Sequence, residues 1–137
     1  MSRLIPPHTV PPTLADLETI AHAAFAEIPE ELRTYAADVI IRVEDFPDEE
    51  VEQEMGLESP FDLLGLYRGV ALPLTGFSEG GPRTDVDMIH LYRRPILDYW
   101  CETGEDLTSL VKHVLIHEIG HHFGFSDEDM ERIEDEA

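Results

Sequence analysis

Residues 117–127 read HEIGHHFGFSD. On an α-helix, His117 and His121 lie four positions apart and project from one face, so both imidazoles can hold one metal ion. Glu118 is one step around from His117, within reach of a water on that ion, which is the general-base position of an H-E-x-x-H motif. A catalytic zinc ion usually takes three protein ligands and keeps a fourth position for water, so two histidines leave the site unfinished. Gly124 can end the helix with a positive φ and turn the chain back, which makes Asp127 the natural third ligand. Zinc lowers the pKa of its water to about 7 and polarises a carbonyl, a combination suited to amide hydrolysis.

The competing reading is an amphipathic core helix with satisfied histidines. Val114, Leu115, Ile116, Ile119 and Phe123 make the segment apolar nearly all round, as in a buried helix. Placing His117, Glu118 and His121 there is costly unless they are paired or bind metal. Asp127 has a second explanation. Ser126 and Asp129 match a capping box, and an acid in the first turn of a helix is favoured by its macrodipole. The two readings are compatible, because a capped helix start can aim Asp127 at the metal.

The pattern H-E-x-x-H-x-x-G-x-x-D resembles the metzincin-type zincins, in the variant with aspartate as third ligand. The short chain, the segment LYRRP at residues 91–95 and the acidic C-terminal helix look like the compact bacterial zincin-like metallopeptidases. The resemblance implies His117, His121 and Asp127 as ligands of one zinc ion, Glu118 as catalytic base, and a peptide or protein substrate paired with an edge strand above the metal helix. Two departures stand beside it. Metzincins carry a methionine turn well downstream of the third ligand; Met130 is too close to Asp127 for that role, and no Met-turn is evident. A glutamate ligand on a later helix would have to be Glu131, Glu134 or Glu136, and Asp127 is preferred to them.

Among the other histidines, His113 shares the face of His117 and is expected at the cleft edge rather than as a ligand. His122 points about 100° away from the metal face. His90, in a predicted strand, either stabilises an oxyanion or packs. Tyr67 and Tyr92 are candidate oxyanion donors, against a plainer role in packing.

The 137 residues suit one domain with a small core. Thirty acids against nine bases leave a formal charge of -21, which repels phosphates and argues against nucleic acid as a partner. The single cysteine, Cys101, excludes an internal disulfide, fits a reducing compartment and is expected to be buried. No run is long enough to span a membrane, and MSRLIPPHTVPP lacks the apolar stretch of a signal peptide, so a cytoplasmic location is expected. Arg93 and Arg94 are expected in ion pairs. Oligomeric state is not legible.

Residues 1–12, with four prolines, are expected to form a flexible arm, leaving 13–137 as a single zincin-like domain. Thr13 can cap a helix to about Ile28, with an apolar stripe of Leu14, Leu17, Ile20, Ala24 and Phe25. A short helix over 30–36, a strand at Val39–Val43 and a polar helix over 47–55 follow. Leu63–Leu72 and Val86–Tyr92 contain strand formers that can pair antiparallel around a glycine-rich turn; a helix over 95–101 precedes the metal helix. The expected architecture is α+β and zincin-like, with the HExxH helix packed against a small mixed or mostly antiparallel sheet. Peptide hydrolysis is the favoured function. A metal-binding interaction or regulatory module with weak or no catalysis is the alternative, and a non-peptide metal-dependent hydrolase is less favoured.

Overall fold

The structure, a computed structural model, describes residues 10–69 and 87–136. Helix α1 (Leu14–Glu27) starts at Thr13, whose hydroxyl accepts from Asp16 N–H while the Asp16 carboxylate accepts from Thr13 N–H, a complete capping box. Its buried stripe is Leu17, Ala21 and Ala24. Leu14, expected in that stripe, is 41% exposed because it lies in the first turn, beyond the surface α1 packs against. Helix α2 (Glu30–Arg33) runs into a 3₁₀ turn at Thr34–Ala36, and α3 (Glu49–Met55) starts at Asp48, which accepts from Val51 N–H.

Among the described residues, three strands form one mixed sheet: β1 (Ile40–Glu44), β2 (Gly65–Arg68) and β3 (Met88–Tyr92), in the order β1-β3-β2. Strand β3 is central, parallel to β1 and antiparallel to β2. The expected antiparallel pairing therefore holds for β2 and β3; β2 starts at Gly65, two residues later than expected, and residues 70–72 of its expected span lie outside the described residues. The expected glycine-rich turn lies outside the described residues, as do residues 1–9 of the expected arm.

Helix α4 (Arg93–Thr103) begins directly after β3, two residues before the expected start, with Pro95 in its first turn, where the missing N–H costs no helical bond. Arg93 is paired as expected: Nη1 lies 3.0 Å from Asp45 Oδ1 and Nε donates to the Pro12 carbonyl at 2.6 Å. Arg94 instead lies over the Phe46 ring, 5.4 Å from its centroid. Cys101, expected to be buried, is exposed, because α4 turns that side toward solvent. Helices α5 (Leu107–His122) and α6 (Asp127–Glu136) complete the described chain.

The core lies between α1, α5 and one face of the sheet. Leu17, Ala21, Ile89, Leu91, Leu110, Val111, Leu115, Ile116 and Ile119 are fully or almost fully buried there. The sequence LVKHVLIHEIGHH thus makes a helix that is apolar on several sides because it meets α1, the sheet and α6 together. No helix of the described residues is long and apolar enough to cross a membrane.

Candidate metal centre

Helix α5 lies along β2 in close register. At Gly65 a Cβ would stand 2.8 Å from Val114 Cγ1 and 3.1 Å from the His90 carbonyl oxygen, so only glycine lets the helix approach this far. One helical turn on, Glu118 Oε1 accepts from Tyr67 N–H at 3.2 Å. After a further turn, His122 stacks on the Tyr67 ring, centroids 4.0 Å apart, and its Nε2 lies 2.6 Å from where a Cβ of Gly69 would be. Four helical residues rise about 6 Å and two strand residues about 6.8 Å, so positions 114, 118 and 122 stay matched to 65, 67 and 69.

The N–H that holds Glu118 is one the sheet does not use. Tyr92 N–H donates to the Leu64 carbonyl, and the antiparallel register then directs the backbone groups of Leu66 toward β3 and those of Tyr67 away from it. Glu118 is half-buried, and desolvation raises its pKa above the usual carboxylate value, opposed first by the Tyr67 N–H and then by the charge of His121.

The neighbouring stripe of α5 is a ladder of imidazoles. Ring centroids lie 4.1 Å apart for His113 and His117, and 5.8 Å apart for His117 and His121. Helix α6 packs across α5, with Met130 and Ile133 fully buried and Met130 leaving no room for a Cβ on Gly120. That packing brings Glu134 to the ladder: Oε2 is 2.7 Å from His113 Nδ1, and Oε1 is 3.0 Å from His117 Nε2. The motif glutamate thus lies against β2, and the two motif histidines stand on the neighbouring stripe of the same helix.

The sequence profile of the zincin-like metallopeptidases matches residues 36–137. The chain belongs to the zincin-like metallopeptidase family. Its fold is also that of a solved structure, a conserved hypothetical protein from Thermus thermophilus: TM-score 0.53, 24% identity, over 81% of this chain and 94% of that one. No curated protein is similar enough in sequence to count as a match.

The donors in this zincin-like chain suit a borderline cation: imidazoles on one helix face with carboxylates close by are the ligand types zinc takes. His117 is half-buried and His121 exposed, which leaves one side of the pair open. Asp127 is exposed and opens α6, where Ser126 Oγ accepts from Asp129 N–H at 3.1 Å, so the expected helix cap is present. Gly124, at φ +81°, makes the turn between the helices. Among the described residues, the three potential ligands whose donor atoms all lie within 4.8 Å of one another are His113, His117 and Glu134.

Glu134 is the weaker expectation from sequence, yet it carries the closest carboxylate contact to His117. The available signal is its spacing: one turn after Met130 and next to Ile133, it borders the face that α6 buries. His113, expected at the cleft edge, is exposed but joined to Glu134. The other candidates are occupied elsewhere. His90 Nδ1 lies 2.6 Å from Glu44 Oε1. Tyr67 donates its phenol proton to Asp87, and burial and that bond raise its pKa. Tyr92 is 2% exposed and pushed up to about 12, first by burial and then by the Glu44 charge.

Proposed function

We propose that this protein is a zinc-dependent peptidase in which Glu118 is the general base and His117, His121 and Asp127 hold the metal. The observation that carries the reading is the setting of Glu118. It is a half-buried carboxylate beside two helix histidines, held by an N–H on the outward side of an edge strand.

A bound zinc ion would supply Lewis acidity, acidifying the attacking water and polarising the scissile carbonyl. The protein's own groups do the rest. Burial makes Glu118 a better proton acceptor than a solvated glutamate, and the Tyr67 N–H keeps its other electron pairs aimed rather than free to rotate. Glu118 takes the proton of the attacking water and returns it to the leaving amine nitrogen. A peptide substrate lies extended along β2, where backbone groups directed away from β3, other than the Tyr67 N–H that Glu118 takes, can pair with it. The formal charge of -21 favours neutral or basic substrates over nucleic acids, and a cytoplasmic location fits the single unpaired cysteine.

The test is Glu118→Gln against a diverse peptide library, with zinc content measured in parallel. The variant should keep its metal and fold while turnover falls by about 10²–10⁴, the usual contribution of a general base. Equal turnover in both proteins would overturn the assignment.

A further inference from the structure

The histidine ladder is longer than one metal site requires. His113 and His121 are two turns apart, about 12 Å of helix rise, and the donor atoms that converge within 4.8 Å are those of His113, His117 and Glu134, without His121. The ladder therefore divides into two overlapping pairs that share His117. The pair nearer the helix C-terminus, His117 and His121, flanks Glu118. The other pair is closed by a residue from a different helix: both oxygens of Glu134 are used, one against His113 Nδ1 at 2.7 Å and one against His117 Nε2 at 3.0 Å. Burial of Met130 and Ile133 fixes α6 and so fixes this carboxylate.

We propose that His113, His117 and Glu134 form a second divalent-cation position that takes zinc or a similar borderline cation. Two imidazoles and a carboxylate converging from two helices are a sufficient protein ligand set. Because His117 belongs to both positions, an ion in this one withdraws that histidine from the His117–His121 pair and sits beside His113 instead of beside His121. It is a holding position that competes with the catalytic one. The regulatory consequence rests on the peptidase reading; cation binding itself does not.

The test uses the full chain carrying H121A and D127A, two exposed positions, which leaves His117 alone of the proposed catalytic ligands. Zinc binding is read by calorimetry and cobalt binding by its visible absorption, with circular dichroism confirming the fold. One ion should bind, and adding either E134Q or H113Q should weaken it by at least about tenfold, the scale on which loss even of an outer partner is felt. Binding that is unchanged by both substitutions, or no ion bound before they are made, would reduce the cluster to an ion-pair network and overturn the proposal. The peptidase reading is judged separately by E118Q, which leaves every ligand in both sets intact.

Discussion

Tyr67 N–H donates to Oε1 of Glu118 across 3.2 Å, joining residues 51 apart in sequence. It is a bond between the outer strand of the described sheet and the second residue of the HEIGHH motif. The strand residue contributes only its backbone to this bond, since its side chain is turned to Asp87 and His122.

The bond depends on how closely α5 lies to β2, and that closeness depends on Gly65. Gly65→Ala would drive a methyl against Val114 Cγ1 and the His90 carbonyl oxygen, the second a backbone atom that cannot swing aside. Chemical denaturation should show a loss of about 1–3 kcal/mol, the usual cost of overpacking. Turnover should fall as well, because Glu118 shifts from the Tyr67 N–H. Undiminished stability would mean that α5 can move away from β2 freely.

Met130→Ala removes a fully buried side chain lodged against Gly120. The expected loss is about 2–5 kcal/mol in denaturant unfolding, from lost burial and the cavity left behind. The same substitution frees α6 and should loosen the contact of Glu134 with His113 and His117, visible as altered histidine ring signals by NMR.

Asp127→Ala separates metal ligation from helix capping. Ser126 still caps α6 in the variant, so helicity by circular dichroism should stay unchanged. Made in a chain that also carries H113Q, so that the cluster with Glu134 cannot hold the ion instead, the substitution should lower zinc per chain by elemental analysis, with affinity weakened at least about tenfold if the carboxylate is the third ligand. Full zinc retention would leave Asp127 a first-turn acid only.

Tyr92 gives a pH dependence with a definite sign. Its phenol is pushed up to about 12 in the fold and titrates near 10 when unfolded, so the neutral form is the one that folding favours. Its stabilising contribution is complete below about pH 10 and is lost as pH rises toward 12, by about 2–3 kcal/mol. Urea melts from pH 9 to 12 should show that decline. Tyr92→Phe, compared with wild type, should remove this residue's share and leave that of Tyr67, which is raised as well.

The sequence by itself determined the elements and the motif. Thr13 with Asp16, Asp48 and Gly124 act through neighbours within a few residues, and the i, i+4 spacing of His117 and His121 is a property of any α-helix. Local chemistry of this kind is written in consecutive residues, which is why the start of α1, the strand expected at Val39–Val43 and found at Ile40–Glu44, and the histidine pair were legible. Only the tertiary structure decided the rest. Tyr67 contributes a backbone N–H, which every residue except proline carries, so nothing in its side chain could announce that role. Cys101 and Leu14 are apolar enough to be expected inside and stand outside, because exposure depends on which face a neighbouring element covers. Glu134 is one acid in a strongly acidic terminal segment; it meets His117 because Met130 and Ile133 dock α6 at one angle on α5. Contacts across 17 or 51 residues are set by packing geometry, and that geometry is a property of the whole core rather than of any stretch of the chain.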